Sequence, residues 1–323
     1  MTLDFYQHLP QLINPVAFTM GFLAVRWYSL MYLVGFVVVW LLLQWRINKG
    51  EVGEILSTIT SCHCEPVIRR GNPGRYRILD RHGFSSTKIL AKTNEEKAEI
   101  YDIILDFLLV AFFAGLVGGR LGYVIFYNWA YFSAHPWQII SPFDFASGSV
   151  VGLYGMSYHG ALLGGILGMF LLAKIQKIDF WRWADFIVPA LPAGYFFGRI
   201  GNFLNGELFG RVTTSKIGMY FSASPNSLRY PSQILEACLE GVLLFLILWK
   251  VRNQKKFKVG ALLAFYLFGY GAMRFLGEFF RQPDPQLGFI FLKFTMGQIL
   301  SLGLILLVFF WLFFKNRKGA IVN

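Results

Sequence analysis

The sequence has 323 residues, of which 55% are hydrophobic, 18% aromatic and only 15% charged, with a formal net charge of +12. Because a soluble globular domain carries about 25% charged residues, this composition excludes that class and predicts a polytopic membrane protein. The three cysteines, Cys62, Cys64 and Cys238, are too few for a secreted disulfide framework.

Seven apolar stretches are long enough, or nearly so, to cross a bilayer, which requires about 20 apolar residues. In chain order they are 19–43, 103–126, 151–173, 184–204, 233–249, 260–280 and 294–314. Residues 1–18 lack a basic region followed by an apolar one, so no secretory signal peptide is predicted. The predicted fold is an all-α polytopic membrane protein with seven transmembrane helices.

Basic residues alternate between successive segments outside these stretches. One set contains 21 Lys and Arg residues and the other contains five. The basic set is 44–98, 174–183, 250–258 and 315–323; the other is 1–25, 127–150, 205–232 and 281–293. Because basic loops stay in the cytoplasm, the amino terminus is predicted outside and the carboxyl terminus inside. This placement and anionic headgroups explain the positive charge better than a nucleic-acid partner does.

The predicted organisation is a single integral membrane domain over 1–323 with two appended segments. Residues 51–98 form a cytoplasmic insertion, and residues 205–232 form a small extracytoplasmic cap, below called the outer cap. The insertion contains Cys62-His63-Cys64, which lacks the fourth ligand and the spacing of a zinc site. No metal site is therefore predicted.

Four arginines lie within or at the ends of the apolar stretches, where each costs about 2.5–3.5 kcal/mol at a helix centre. They are Arg26, Arg120, Arg199 and Arg274. Arg26 is close enough to the outer interface to extend its charged end into water. A more deeply buried cation needs a carboxylate or a bound phosphate. Glu278, four residues after Arg274, lies on the same helix face and is its predicted partner.

His159 lies inside the third apolar stretch, whereas the other four histidines lie outside the predicted spans. An imidazole in this position can hydrogen-bond a neighbouring helix. With an unperturbed pKa of about 6.5 it can also accept a proton at neutral pH. The residues alone leave both interpretations open.

The stretch 198–210 combines polar residues and glycines where the fourth apolar stretch ends. It reads Gly-Arg-Ile-Gly-Asn-Phe-Leu-Asn-Gly-Glu-Leu-Phe-Gly, and its polar residues are Arg199, Asn202, Asn205 and Glu207. Polar groups are costly in hydrocarbon, and the glycines permit tight turns and close approach of another helix or a ligand. A polar helix end is one interpretation, but the order of these residues is more specific than such an end requires.

Five segments, including this one, resemble motifs of the prolipoprotein diacylglyceryl transferase family and occur in the same order. They are Val25–Tyr32, Gly118–Tyr123 with Phe126–Asn128, Gly155–Gly160, Gly198–Gly210 and Met273–Arg281. A chance match to all five is implausible. The resemblance covers nearly the whole chain except 51–98.

The resemblance implies an enzyme of the bacterial cytoplasmic (inner) membrane. It transfers the diacylglyceryl group of phosphatidylglycerol to the lipobox cysteine of a prolipoprotein, forming a thioether and releasing glycerol phosphate. The thiol must lose its proton, and cations stabilise the charge that develops on the departing phosphate. The resemblance suggests His159 as the base, with Arg199 and Arg274 binding the phosphate.

Further residues are assigned by the same resemblance. Phospholipid binding is expected from Arg199, Asn202, Tyr28 and Arg120. Support of these groups is expected from Glu207, Glu278, Arg281 and Asn205. The expected partners are phosphatidylglycerol, the prolipoprotein signal peptide and membrane lipids, with no nucleic acid, cofactor or metal.

Three features depart from the family pattern. Ala161 stands where a second glycine after His159 is commoner, and one methyl group in a tight helix contact can shift the histidine. Tyr230 stands where the family often has a histidine, so His159 is the sole candidate imidazole there. The insertion 51–98 is longer than the family pattern leads us to expect.

Two other functions also account for buried arginines. A transporter or flippase for an anionic lipid predicts paired symmetric halves, and the sequence contains no internal repeat of that length. A metal-dependent phosphatidyltransferase requires a cluster of intramembrane aspartates to hold its cation. The spans contain only Asp106 and Asp185, near the inner ends of different helices.

Overall fold

The computed structural model describes residues 3–21, 23–51, 86–141, 143–144, 149–150, 156–254, 257–283, 288–291 and 294–320. The motif Cys62-His63-Cys64 and most of the predicted insertion lie outside these residues. The chain divides into two compact units. The first unit comprises Met1–Glu51 and Trp181–Asn323, and the second comprises Val52–Phe180.

The described residues are mostly helical. In chain order the elements are α1 (Leu3–Leu12), β1 (Val16–Met20), β2 (Leu23–Arg26), α2 (Trp27–Asn48), α3 (Ser86–Tyr127), α4 (Trp129–Ala134), a 3₁₀-helix (Pro136–Ile139), β3 (Phe143–Asp144), β4 (Ser149–Val150), α5 (Tyr158–Ile175), α6 (Phe180–Ile187), α7 (Leu191–Leu204), β5 (Met219–Phe221), β6 (Ser224–Arg229), α8 (Ser232–Glu236), a π-helix (Ala237–Leu243), α9 (Leu244–Val251), α10 (Ala261–Gly277), β7 (Phe289–Phe291), β8 (Phe294–Thr295) and α11 (Met296–Ala320).

Short antiparallel ribbons accompany the helices, which the all-α prediction did not include. Each consists of two strands: β1 with β2, β3 with β4, β5 with β6, and β7 with β8. The first ribbon corrects the predicted span 19–43, because the chain reverses at Gly21 and the helix begins only at Trp27. Gly21 has a φ of +59°, a turn conformation that glycine adopts without a side-chain clash.

Two further predicted spans differ in detail from the observed elements. Residues 184–204 form two helices, α6 and α7, because Pro189 and Pro192 lie at and after the break and proline cannot donate a helical hydrogen bond. Residues 233–249 lie in α8, the π-helix and α9, which follow one another without a gap. These three elements are below called the carboxylate helix.

By length and composition, two helices among the described residues are suited to crossing a membrane: Trp27–Asn48 and Lys97–Phe126. Three shorter apolar helices accompany them: Gly160–Ile175, Ala261–Gly277 and Met296–Leu312. The longest element, α3, begins at Ser86, so the carboxyl-terminal part of the predicted insertion continues directly into a predicted span.

Close helix contact at glycines organises the first unit. A methyl group placed on Gly35 of α2 would lie 2.9 Å from the carbonyl oxygen of Gly194 on α7. One on Gly201 would lie 3.2 Å from the Tyr28 Cα, and one on Gly271 of α10 would lie 3.2 Å from the Ser301 carbonyl oxygen on α11. Small residues therefore bring these backbones together.

The outer cap, 205–232, has its own small apolar core. Met219 and Phe221 are buried there together with Phe203 at the end of α7. The side chains that pack against them are those of Tyr6, Ile13, Leu204, Phe209 and Ile234. The Tyr6 hydroxyl of α1 donates to the Ile217 carbonyl at 3.1 Å. The cap is thus held by both apolar burial and backbone hydrogen bonds, directly after the end of α7.

In the second unit, α3 and α5 pack more closely still. Methyl groups on Gly118 and Gly160 would lie 2.4 Å and 2.3 Å from the opposite carbonyl oxygens. The Ser157 hydroxyl accepts from the Gly160 N–H at 3.3 Å and caps the start of α5. The Ala161 Cβ would lie 3.2 Å from a methyl on Gly119. The alanine is accommodated because its neighbour on α3 is a glycine.

Candidate active site

Helix α7 places Tyr195, Arg199 and Asn202 on one face, at spacings of four and three residues. Arg199 Nε donates to the Tyr195 hydroxyl at 2.7 Å, and its guanidinium carbon lies 4.8 Å from the ring centre. Arg199 Nη1 donates to Asn202 Oδ1 at 3.3 Å. Because the stretch is helical up to Leu204, Arg199 and Asn202 share a side, as the sequence predicts.

The end of α7 is turned by Gly206, whose φ is +67°. The Glu207 N–H donates to the Asn202 carbonyl at 3.1 Å, and Asn202 Nδ2 donates to Glu207 Oε1 at 3.0 Å. The family resemblance leads us to expect support of the lipid-binding groups from Glu207, and a carboxylate can give such support by holding a cation directly. The observed contact is instead with Asn202, which itself accepts from Arg199. The Asn205 Oδ1 atom is buried without a hydrogen-bond partner in the described part of the chain.

Glu236, the last residue of α8, is 1% exposed and lies between the two predicted phosphate-binding arginines. Its Oε2 atom lies 3.0 Å from Arg199 Nε, and its Oε1 atom lies 3.0 Å from Arg274 Nη1. Arg281 Nη1 lies 3.7 Å from the same Oε1 atom. One carboxylate therefore holds guanidinium groups from α7 and α10 next to each other despite their like charge.

Two more buried carboxylates contact Arg274. Glu278 Oε2 lies 2.9 Å from Arg274 Nη2, so the ion pair predicted from the spacing of four residues is present. Glu240 Oε1 lies 3.8 Å from Arg274 Nη1, and Glu240 Oε2 accepts a hydrogen bond from the Tyr195 hydroxyl. Thr295 Oγ1 donates to Glu278 Oε1 at 3.1 Å. We call these residues, Tyr195, Arg199, Glu236, Glu240, Arg274, Glu278 and Arg281, the arginine–glutamate cluster.

Hydrogen bonds join the outer cap directly to the end of α10. Arg211 Nε donates to the Arg281 carbonyl at 2.9 Å, and Arg211 Nη2 donates to the Glu278 carbonyl at 3.3 Å. A methyl group on Gly210 would lie 2.5 Å from the Phe280 carbonyl oxygen, so glycine is required for this approach. The cap thereby fixes the backbone that carries Glu278 and Arg281.

Within the cluster, the arginine side chains are more exposed to solvent than the carboxylate that bridges them. The Arg199 and Arg274 side chains each retain 13% exposure, whereas Glu236 retains 1%. Guanidinium groups offer planar paired donors that match phosphate oxygens. The donors are therefore more accessible than the carboxylate that joins them.

Tyr28 lies beside the same helix, on α2. Its hydroxyl donates to the Tyr32 hydroxyl at 3.0 Å, and both tyrosines contact α7 where Gly198 and Gly201 leave room. The expected role of Tyr28 in lipid binding stays a prediction. Arg26, the residue that precedes α2, is exposed, and its position at an interface stays a prediction.

Two predicted site residues belong to the second unit. Arg120 Nε and Nη2 donate to the carbonyls of Ile139 and Gln138 at 2.8 Å and 2.7 Å, and its guanidinium lies 4.9 Å from the Phe132 ring centre. Arg120 therefore anchors the 3₁₀-helix, and its contact with lipid stays a prediction. His159 lies in the first turn of α5, but its side chain is outside what the structure describes.

Tyr195, Glu236 and Glu240 were not predicted as site residues. The two glutamates interrupt an apolar span at a spacing of four residues, and buried carboxylates are as costly as buried arginines. Pairing intramembrane acids with intramembrane arginines by charge would have found them. Tyr195 has no comparable signal, because a tyrosine in an apolar helix is ordinary.

Comparison with known proteins agrees with the motifs. A model of the family described as prolipoprotein diacylglyceryl transferase matches residues 15–63 and 78–314. The match extends into both ends of 51–98 and omits 64–77.

The similar curated proteins are named phosphatidylglycerol–prolipoprotein diacylglyceryl transferase. The protein of Chlorobaculum tepidum is 41% identical over 298 residues, which cover 91% of this chain and 87% of the relative. That of Desulfotalea psychrophila is 36% identical over 323 residues and 98% of both chains. That of Legionella pneumophila strain Lens is 36% identical over 306 residues, or 94% of this chain and 98% of its own. The chain therefore belongs to the prolipoprotein diacylglyceryl transferase family.

Proposed function

We propose that this chain transfers the diacylglyceryl group of phosphatidylglycerol to the lipobox cysteine thiol of prolipoproteins. The observation that carries the proposal is the pair of arginines, Arg199 and Arg274, that Glu236 holds together from two helices. Two guanidinium groups at one carboxylate form a site for one phosphodiester. The names of the relatives supply the lipid and the protein acceptor.

The reaction exchanges one bond for another at a single carbon. The thiolate sulfur attacks the carbon of the diacylglyceryl group that is joined to the phosphate oxygen. A carbon–sulfur bond forms as that carbon–oxygen bond breaks. The electron pair of that bond leaves with glycerol phosphate, which gains negative charge. Arg199 and Arg274 offset this charge, since preorganised donors aimed at a developing anion lower the barrier.

The thiol proton requires an acceptor, because the thiolate is the nucleophile. We assign this role to His159, whose imidazole can take a proton at neutral pH. Asn202 orients Arg199, and Glu207 holds Asn202. Tyr28 and Arg120 complete the proposed contacts with the lipid.

The proposed topology has seven spans, with the amino terminus and the outer cap outside the cytoplasmic membrane and the carboxyl terminus inside. The distribution of basic residues supports it. Single cysteines replacing Ser85 and Ser227, in a background without native cysteines, test the orientation on intact cells. A membrane-impermeant thiol reagent is expected to label Ser227→Cys and spare Ser85→Cys. Labelling of both positions, or of Ser85→Cys alone, would overturn the assigned orientation.

The activity is tested with purified protein in detergent, phosphatidylglycerol and a synthetic lipobox peptide. Mass spectrometry is expected to show the peptide with one diacylglyceryl group added through sulfur. The control peptide has serine in place of cysteine and is expected to stay unmodified. If folded, monodisperse protein forms no thioether product, the proposed activity is refuted.

A further inference from the structure

Glu236 and Glu240 are chemically identical neighbours on the carboxylate helix with very different surroundings. Both are 1% exposed and both approach Arg274 Nη1. Glu236 lies within 3.0 Å of two arginines and 3.7 Å of a third. Glu240 reaches one arginine at 3.8 Å, and its other oxygen receives the Tyr195 hydroxyl. Only Glu236 is thus surrounded by positive charge.

The net charge of the cluster determines whether it can attract an anion. Arg199, Arg274 and Arg281 carry three positive charges, and Glu236, Glu240 and Glu278 carry three negative ones when all are ionised. A cluster balanced in this way has no excess charge to offer a phosphodiester. A buried charge that lacks a close counter-ion is also costly to keep, and two carboxylates that share a site do not both ionise readily.

We propose that Glu236 is the ionised positioning residue that fixes Arg199 and Arg274, and that Glu240 holds a proton when the lipid binds. The cluster then carries one excess positive charge, matched to one phosphodiester. The contact between Glu240 and Tyr195 persists with a neutral acid, because either hydroxyl group can donate to the other. This inference rests on the proposed transferase function and identifies the residues that set the charge of its phosphate site.

The groups that face Glu240 come from several elements. Helix α7 contributes Tyr195 and Arg199, and α10 contributes Arg274, with Glu278 directly after it. Glu236 precedes Glu240 by one turn, and Gly277 of α10 would place a methyl group 3.5 Å from Glu240 Oε1. Glu207 contacts the cluster through Asn202 but is itself exposed, so water screens its charge.

The experiment compares two matched substitutions in the full-length protein: Glu236→Gln and Glu240→Gln. Both remove one buried carboxylate from the same helix and keep its size. Thioether formation is measured against the concentration of phosphatidylglycerol, so that kcat and KM are obtained separately. Cys238→Ser, on the exposed side of the same helix between the two glutamates, is the control. Monodispersity in detergent verifies folding of each variant.

Glu236→Gln is expected to lower kcat by about 100-fold, the loss that a misplacement of about 1 Å of a catalytic group can cause. Its KM for the anionic lipid is not expected to rise, because the cluster gains positive charge. Glu240→Gln resembles the protonated acid and is expected to lose less than about tenfold in kcat. Because an amide does not ionise, Glu240→Gln also moves the alkaline fall of kcat/KM to higher pH.

A loss in Glu240→Gln as large as that in Glu236→Gln, with an unshifted alkaline limb, would overturn the inference. Near-normal kcat in Glu236→Gln would also overturn it. If Glu236→Gln does not fold, Glu240→Gln still decides, since a 100-fold loss in that variant contradicts a neutral Glu240. Failure of the proposed function is recognised separately, because wild-type protein would then form no thioether at all.

Discussion

Two regions of the first unit each use one carboxylate to join two arginines, and they use it differently. At the end of α2, Glu51 Oε2 lies 2.8 Å from Arg46 Nε, and Glu51 Oε1 lies 3.0 Å from Arg252 Nη2. We call Arg46, Glu51 and Arg252 the Glu51 clamp. In the arginine–glutamate cluster, Glu236 lies 3.0 Å from both Arg199 Nε and Arg274 Nη1. The distances are alike, so distance alone does not separate the two regions.

Hydrogen bonding separates them. In the clamp, Arg252 donates two parallel bonds to Glu51, and Asn253 adds a third at 2.9 Å. Arg46 Nη1 and Arg252 Nη1 donate to the backbone carbonyls of Phe186 and Trp249, and Arg252 lies over the Trp249 ring at 4.1 Å. In the cluster, Arg274 Nη1 and both Glu236 oxygens form no well-aligned hydrogen bond within the described residues.

The hydrogen bonds of the arginines distinguish the structural ion pair from the proposed binding site. The clamp arginines donate both to Glu51 and to backbone carbonyls, so we assign the clamp a structural role, and breaking it is expected to be costly. In the cluster, Arg274 Nη1 is held by charge without an aligned hydrogen bond, which suits the role in anion binding that we propose for it. We therefore expect changes in the cluster to reduce turnover, and changes in the clamp to reduce stability.

The largest expected effect is at Arg199. Arg199→Lys keeps the charge but loses the planar pair of donors, and losing one donor to a developing anion commonly costs about 10²–10³ in rate. We expect Arg199→Lys, Arg199→Ala and Asn202→Ala all to be severely impaired while remaining folded. The measurement is thioether product per monodisperse molecule. Normal turnover of Arg199→Lys would refute paired donation, and normal turnover of Arg199→Ala would remove Arg199 from the site.

A smaller effect is expected at Gly297, which supports the cluster from α11. A methyl group there would lie 2.8–2.9 Å from the Glu278 carboxylate, so Gly297→Ala must displace Glu278 from Arg274. We expect kcat to fall about tenfold, as indirect misplacement of a catalytic group commonly costs less than its removal. Gly303→Ala is the matched control on the same helix, because nothing lies within 4 Å of that methyl position. Equal activity of the two variants would show that turnover does not depend on the position of the Glu278 carboxylate beside Arg274.

In the clamp, Glu51→Gln is expected to reduce stability and spare turnover. Hydrogen bonds to charged groups contribute about 1.5–3 kcal/mol, and the variant weakens those from Arg46 and Arg252. Thermal unfolding in detergent measures the loss, and thioether formation per folded molecule measures turnover at a lower temperature. A fall in turnover without a fall in melting temperature would erase the distinction between clamp and cluster.

The smallest effect concerns the pH dependence of the clamp. Burial alone would raise the pKa of the Glu51 carboxyl, but hydrogen bonds from Arg252, Asn253 and Arg46 outweigh it and hold that pKa below its usual value. Glu51 therefore stabilises the fold fully at pH values above the pKa of its carboxyl group in the unfolded state. This stabilisation is lost as the pH falls through the lower pKa of the same group in the folded state. The gap in melting temperature between wild type and Glu51→Gln should shrink on acidification. A gap that stays constant below pH ~4 would contradict this linkage.

Several features of the chain follow from the sequence by itself. Apolar length and charge identify a membrane protein with helical spans, since hydrocarbon requires internal hydrogen bonding of the backbone. Helical spacing places Asn202 beside Arg199 and Glu278 beside Arg274, because residues three or four apart share a face. Ordered motifs identify the family.

Only the tertiary structure decided which carboxylate joins the two arginines. Glu236 lies 37 residues after Arg199 and 38 before Arg274 in the chain, and no local periodicity connects them. Their meeting depends on how closely α7, α10 and the carboxylate helix approach, which is set by packing such as that of Gly241 against Phe196 and Gly277 against Glu236. The same holds for the fastening of the outer cap by Arg211. Long-range ion pairs arise from packing of whole helices, and the sequence of any one helix does not contain that information.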